Sequence, residues 1–244
     1  MTLLAPAERA ERAAAKRMAV LRFMRTNVYT APEVLMALLA TSARQVIQRL
    51  MLSMQREDLI RSEQVVMPSG RQLTLYGITQ RGQMLAADIQ AGEAISDKVF
   101  EPGRVAYSVL QHTLDIQLLQ IQAERAGWRD WQLGDRLEKW TAGQGRPDVI
   151  ATHPSGARWA LECERTIKTK KRYAAILSDR LQAIRRGDVA RIVWLTPTAD
   201  EAIRLAYLIK SIPSVVAGGQ TAVIDPARHH VNIDFHAYDA LPNL

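Results

Sequence analysis

The sequence predicts an α+β protein built from two domains, and two observations support this prediction. Apolar residues recur at helical spacing in three stretches before residue 56, and two short β-like runs around a turn follow them. Further along, a long helical stretch precedes two β-like runs, a helix and one more apolar run. We therefore expect one domain at residues 1–90 and a second at residues 104–244. Residues 91–103, which include Gly92, Pro102 and Gly103, are the expected linker.

The composition narrows the class of protein. A single cysteine cannot form an internal disulfide, which favours a reducing compartment, and we expect the cytoplasm. No stretch approaches the ~20 apolar residues of a membrane span, so we expect no membrane insertion. The formal charge of +7 is consistent with a polyanionic partner. Basic residues outnumber acidic ones by 12 to 7 in residues 1–90 and by 10 to 4 in residues 158–191, which predicts two contacts with nucleic acid.

Three helices are predicted in the first domain. The first spans Lys16 to Met24, and the second begins near Pro32 and ends at about Leu39. Thr41 or Ser42 is the expected cap of the third helix. The apolar face of that helix contains Val46, Ile47, Leu50 and Met54.

A hairpin is predicted after the three helices. The run Val65–Met67, the turn Pro68–Arg71 and the run Leu73–Ile78 supply its parts, and Thr79 to Gly82 opens a further helix. This order is typical of a winged helix-turn-helix domain that binds duplex DNA, with the hairpin as the wing.

The third helix has a polar face opposite its apolar one. Its hydrogen-bond donors suit guanine and adenine edges in a major groove, so it is the candidate DNA-reading face. An ordinary solvated helix face remains the alternative. The candidate DNA-binding residues here are Thr41, Arg44, Gln45, Gln48 and Arg49 on the helix and, at the wing, Arg71.

The second domain opens with a helix predicted from Val105 to Ala126, with one apolar face. Trp128, Trp131 and Trp140 follow it, and we expect them in the core.

Three carboxylates are predicted to converge on the next hairpin. Asp148 precedes one strand, and Glu162 and Glu164 leave the same face of the second strand because they are two residues apart. Like charges this close are unfavourable unless a cation neutralises them, and oxygen ligands favour Mg²⁺ or Mn²⁺. Asp148, Glu162 and Glu164 are therefore candidate metal ligands of a site for phosphodiester hydrolysis. The alternative is a solvated edge strand whose glutamates pair with nearby basic residues.

A basic run follows the carboxylates. Five cations lie within eight residues and could hold a nucleic-acid backbone: Arg165, Lys168, Lys170, Lys171 and Arg172. A helix at 172–186 and an apolar strand from Arg191 to Leu195 complete the predicted order. Tyr173 falls on the apolar stripe of that helix, so we expect it in the core.

The order helix, strand, strand, helix, strand resembles the PD-(D/E)xK restriction-endonuclease-like fold. In this comparison Pro147-Asp148 corresponds to the first motif, and Glu162-Cys163-Glu164 corresponds to the second. Glu164 stands where that pattern usually has a lysine, and Lys168 or Lys170 could supply the lysine from a shifted position. The resemblance implies Asp148, Glu162, Glu164, Lys168 and Lys170 as catalytic residues.

The chain as a whole resembles the replication-relaxation family and, within it, MobC-like plasmid relaxases. The resemblance covers roughly residues 15–210 and includes His112-Thr113-Leu114-Asp115 besides the features above. It implies binding of a plasmid transfer origin, relaxation by nicking of one DNA strand, and work with an accessory mobilization protein and a coupling protein. The alternative is a non-catalytic DNA-binding replication initiator, relaxosome accessory protein or transcriptional regulator.

Overall fold

The computed structural model of the protein describes residues 5–67, 70–137 and 145–244. Its elements form a mixed α+β structure, as the sequence predicts. The chain divides into two compact units, Met1–Leu118 and Leu119–Leu244. In the described ranges no helix is both long enough and apolar enough to cross a membrane.

The first unit combines helices with a small antiparallel sheet. Its strands lie in the order β1-β3-β2. Its elements are α1 (Pro6–Asn27), β1 (Tyr29–Thr30), α2 (Pro32–Leu38), α3 (Arg44–Arg56), β2 (Ile60–Val66), β3 (Gln72–Ile78), α4 (Gln80–Ala86) and the first part of α5 (Tyr107–Arg125). Residues 87–106, which include the predicted linker, form neither helix nor strand.

Helix α1 begins ten residues before the predicted start. Pro6 occupies its first turn, and the Glu8 side chain accepts a hydrogen bond from the N–H of Ala5 at 3.0 Å. The added turns are rich in Ala, Glu and Arg and are exposed. Such residues form helix by intrinsic propensity without an apolar stripe, so a search for apolar periodicity misses them.

The cap predicted for helix α3 is wrong. Ala43 is the N-cap residue, and its side chain makes no capping hydrogen bond. Thr41 Oγ1 instead accepts from the N–H of Ala43 at 3.2 Å, which orders the turn just before the helix. The inward face is as predicted for Ile47 and Met54, which are buried in a cluster with α1 and the hairpin.

The predicted hairpin is present. Strand β2 pairs antiparallel with β3, from Ile60 opposite Ile78 to Val66 opposite Gln72. Pro68 and Ser69 of the predicted turn lie outside the described residues. Phe100 packs directly on Gly77 of β3, where a Cβ would lie 2.1 Å from its ring, and its N–H bonds to the carbonyl of Ile78. A side chain at position 77 would therefore displace Phe100.

Helix α5 does not have a single apolar face. Residues 114–117 are all buried, although Asp115 and Gln117 are polar. The Gln117 amide donates to the carbonyl of Tyr29 and its oxygen accepts from Thr30, both at 2.7 Å. Hydrogen bonding offsets the cost of burying this amide, and hydropathy alone does not reveal that compensation.

The second unit is built on a five-stranded mixed sheet in the order β10-β7-β6-β5-β4. Strands β4, β5 and β6 are antiparallel neighbours, whereas β6, β7 and β10 are parallel. The elements after α5 are β4 (Arg129–Leu133), β5 (Val149–Thr152), β6 (Arg158–Cys163), α6 (Lys170–Arg186), β7 (Arg191–Thr196), α7 (Ala199–Lys210), β8 (Ser214–Ala217), β9 (Gln220–Val223), α8 (Pro226–His229) and β10 (Ile233–Ala237).

Strand β4 was not predicted. It has a register shift between Arg129 and Gln132, and Asp130 has a positive φ of 53°, so its side chains do not alternate regularly. Trp128 directly precedes β4 and Trp131 belongs to it, and both are buried as expected. Trp140 is not among the described residues.

Helix α6 connects the parallel strands β6 and β7 and packs on the sheet. Tyr173 and Leu177 on its inner face join a core cluster that includes Trp194 of β7. Thr169 caps its start, and Gly187 ends it in the left-handed conformation with φ 79°. The expectation that Tyr173 lies in the core is confirmed, since it is fully buried.

Candidate carboxylate site and basic surfaces

The register of the β5–β6 hairpin places Asp148 across from Glu162. Val149 pairs with Leu161, so the residue before Val149 faces the residue after Leu161. Asp148 Oδ2 accepts a hydrogen bond from the N–H of Cys163 at 2.8 Å. The predicted proximity of Asp148 to the second strand is therefore present at the end of β6.

Glu162 is buried and ion-paired. Its Oε1 accepts from Nε of Arg180 on helix α6, and both side chains are almost fully inaccessible to solvent. Burial raises the pKa of Glu162 to about 7, and the negative charges of Asp148 and Glu164 also raise it, while the Arg180 guanidinium opposes the rise. These effects place the three carboxylates within electrostatic range of one another.

Glu164 is also buried and paired with a cation. Lys168 donates to its Oε1, and the backbone N–H of Glu164 bonds to the carbonyl of Leu195 on β7 at 2.8 Å. The Tyr173 hydroxyl accepts from the N–H of Lys168, and burial raises the pKa of Tyr173 to about 12.

These two ion pairs weaken the argument that the crowded carboxylates require a metal ion. Crowded carboxylates need a cation, and here Arg180 and Lys168 each provide one. Across residues 5–67, 70–137 and 145–244, no three His, Cys, Asp or Glu side chains are grouped so that they could hold a metal ion. The alternative of a solvated edge strand is wrong about the position of the glutamate strand, because β6 lies between β5 and β7. It is right that a glutamate pairs with the basic run, through Lys168.

Sequence reasoning missed Arg180. It lies three residues after Leu177 and seven after Tyr173, which is the spacing of the inward stripe of α6. A charged residue on an apolar stripe is the signal that could have identified it, since an arginine is almost never buried without a partner.

The remaining basic run has two kinds of member. Lys170 Nζ donates one of its three N–H groups to the carbonyl of Ser211 at 2.8 Å, at the start of α6. Lys171 and Arg172 are exposed on the first turn of the same helix. Their amino and guanidinium groups face solvent, where a phosphate could reach them.

The candidate DNA-reading face of α3 is exposed, as a binding surface requires. Arg44, Gln45, Gln48 and Arg49 are all accessible, whereas Thr41 is half-buried. Arg44 makes one weak ion pair with Glu33, at 3.4 Å. A cavity of about 290 Å³ separates this face from the hairpin and is lined by side chains of α2, α3 and β3. Arg71 is exposed at the base of the hairpin turn.

Comparisons of the chain with protein-family models, with curated protein sequences and with solved structures give no match. The resemblance to the replication-relaxation family therefore rests on the residues themselves and stays a prediction.

Proposed function

We propose that this protein binds duplex DNA through its first unit and nicks one strand at the carboxylate site of its second. The observation that carries the proposal is the hydrogen bond from the Cys163 N–H to Asp148, which fixes Asp148 beside Glu162 and Glu164. The rest of the argument follows from the sheet, the basic surfaces and the donor types.

The second unit supports the nuclease part of the proposal through its connectivity. An antiparallel hairpin, β5–β6, is followed by helix α6 and a strand, β7, that returns parallel to β6. This is the arrangement expected of a PD-(D/E)xK-like domain, with the carboxylates at the end of β6. Lys168, whose amino group contacts Glu164, is our candidate for the lysine that Glu164 replaces. Lys170 is the weaker candidate because its amino group bonds to the carbonyl of Ser211 and not to a carboxylate of the site.

Carboxylate oxygens are the donors that a hard divalent cation prefers. Asp148 and Glu162 would hold Mg²⁺ or Mn²⁺ and Glu164 would complete the set only after a rearrangement that releases the glutamates from Arg180 and Lys168, because the three carboxylates are not grouped as metal ligands in the described residues. The ion would supply Lewis acidity and a more acidic bound water. Without a metal, Lys168 pairs with Glu164 and Arg180 with Glu162. Lys171 and Arg172 would hold the DNA backbone nearby.

The first unit supports the DNA-binding part. Its order of three helices and a hairpin is that of a winged helix, and helix α3 exposes two arginines and two glutamines. By the family resemblance, the DNA would be a plasmid transfer origin, and the protein partners would be an accessory mobilization protein and a coupling protein.

The test is a nicking assay on a supercoiled plasmid that carries the DNA flanking the coding sequence. We expect open circles with Mg²⁺ or Mn²⁺, none with chelator, and none with Asp148→Ala in either condition. Asp200→Ala, which removes an exposed carboxylate of the same unit, is the matched control and should nick like the parent. Binding of the same DNA, measured by fluorescence anisotropy, should be equal for all three proteins. Nicking by Asp148→Ala at the parental rate would overturn the assignment.

A second candidate is a non-catalytic DNA-binding regulator that keeps this fold as a scaffold. The pairing of Glu162 with Arg180 and of Glu164 with Lys168 favours it, because a carboxylate cluster neutralised by its own chain needs no metal. Specific binding of one DNA segment without nicking under any metal condition would support this candidate.

A further inference from the structure

Two consecutive residues of helix α6 bind both backbone polar groups of Gly145, in the chain that leads to Asp148. Asp179 Oδ2 accepts the N–H of Gly145 at 2.8 Å, and an Arg180 guanidinium nitrogen donates to the Gly145 carbonyl at 2.6 Å. A Cβ at Gly145 would lie 2.9 Å from Asp179 Oδ2, so glycine allows this close approach. Both hydrogen-bonding groups of Gly145 are thus bound by the same turn of helix.

Arg180 binds a second element with the other side of its guanidinium group. Its Nε donates to Glu162 on β6 while its terminal nitrogen holds Gly145. Only 2% of the Arg180 side chain is exposed, so water does not compete for these donors. The planar guanidinium presents several donors in fixed directions, which a lysine ammonium on its single stem cannot reproduce.

These contacts form a closed loop that begins and ends at Arg180. Arg180 binds Gly145, which is three residues before Asp148, and Asp148 accepts the N–H of Cys163. Cys163 directly follows Glu162, which is bound by Arg180. Residues 145–148 belong to no helix or strand, so hydrogen bonds hold them in place. Asp179 and Arg180 bind Gly145, and the N–H of Gly134 donates to the carbonyl of Asp148 at 2.8 Å. Helix α6 therefore contacts both sides of the carboxylate site, through Gly145 and through Glu162.

We propose that Arg180, together with Asp179, is a positioning residue that holds Asp148 against the end of β6. The proposal rests on the proposed function, because the position of Asp148 matters for catalysis only if the carboxylate site nicks DNA. Its geometric content, that contacts from α6 help to hold the Asp148 carboxylate against Cys163, can be tested without a nicking assay.

The chain offers a single-site reporter for this test. Cys163 is the only cysteine, so protein labelled with ¹⁵N-cysteine gives one backbone amide signal, from the N–H that Asp148 accepts. Asp148→Ala supplies the reference position of the signal without the hydrogen bond.

We expect the signal in Arg180→Lys to shift more than halfway toward its position in Asp148→Ala, and its hydrogen exchange to quicken at least tenfold. Asp179→Ala removes only the contact to the Gly145 N–H, and we expect at least threefold faster exchange. Arg186→Lys, an exposed change in the last turn of the same helix, should leave the signal unmoved. If Arg180→Lys fails to fold, Asp179→Ala decides the question.

A Cys163 signal at its parental position and exchange rate in the variants that fold would overturn the positioning role. For nicking we expect Arg180→Lys to lower kcat at least tenfold while KM for DNA stays unchanged, since the Arg180 side chain is buried and does not itself reach DNA. A parent protein that does not nick would refute the proposed function but leave the amide result interpretable. The two failures are thus distinguishable.

Discussion

The two units use the same kind of ion pair in opposite environments. In the first unit Arg44 faces Glu33 at 3.4 Å with both side chains largely exposed, whereas in the second Arg180 and Glu162 are both buried. An exposed pair contributes about 0–1 kcal/mol, since water and salt screen it. Breaking a buried pair leaves an uncompensated charge. The charges of α3 are therefore available to a ligand, while those of the carboxylate site are committed to one another.

The largest expected effect is on stability. Glu162→Ala should lower the free energy of unfolding by about 3–5 kcal/mol, because it leaves the Arg180 guanidinium buried without its carboxylate. Sequence alone suggests the reverse, relief of repulsion among carboxylates, and Arg180 is the reason to reject that. Urea unfolding followed by tryptophan fluorescence measures this loss of stability. All five tryptophans follow residue 118, so the fluorescence reports on the second unit.

Two variants serve as controls for this measurement. Glu33→Ala, followed by circular dichroism, should change the free energy of unfolding by less than about 1 kcal/mol. Glu162→Met combined with Arg180→Met should recover part of the loss, because it removes both buried charges. A loss for Glu162→Ala no larger than for Glu33→Ala would remove the contrast between the two pairs.

The next effect is a pH dependence confined to the buried site. The pKa of Glu162 rises from its ordinary 4.5 to about 7 on folding, a difference worth roughly 3 kcal/mol. The folded state holds more protons between those values, so the free energy of unfolding should fall as pH rises from about 4.5 to about 7 and then level off.

Glu162→Gln removes that titration and should flatten the slope over the same range. Denaturant unfolding at half-unit steps from pH 4.5 to 8 measures it, with Asp200→Asn as the control that keeps the parental slope. An equal slope in the parent and in Glu162→Gln would show that Glu162 ionises at its ordinary pKa in the folded protein.

The smallest expected effect concerns the exposed face of α3. Arg44→Ala or Gln48→Ala should weaken binding to the cognate DNA by about 1–3 kcal/mol relative to random DNA, because a base-edge contact is lost. Arg12→Ala removes an exposed arginine of α1 and serves as the control. Competition binding at fixed salt measures the difference. Equal losses on both DNAs would reassign these residues to phosphate contacts.

Local pattern accounts for much of the fold. Val46, Ile47, Leu50 and Met54 repeat at helical spacing and mark α3, and alternation together with turn residues marks both hairpins. Pattern fails where no apolar stripe exists, as in the alanine-rich start of α1. It also fails in β4, where an irregular register breaks the alternation.

For the site, local pattern is enough to place Asp148 opposite the strand of Glu162 and Glu164, because the pairing register follows from the positions of the strands and their turn. Which cations those carboxylates meet depends on how distant elements pack on one another. Arg180 is 18 residues from Glu162 and reaches it only because α6 packs across the sheet with its Tyr173 face inward. Spacing along the chain encodes which face a residue occupies, but the packing of one element on another decides which residue it meets.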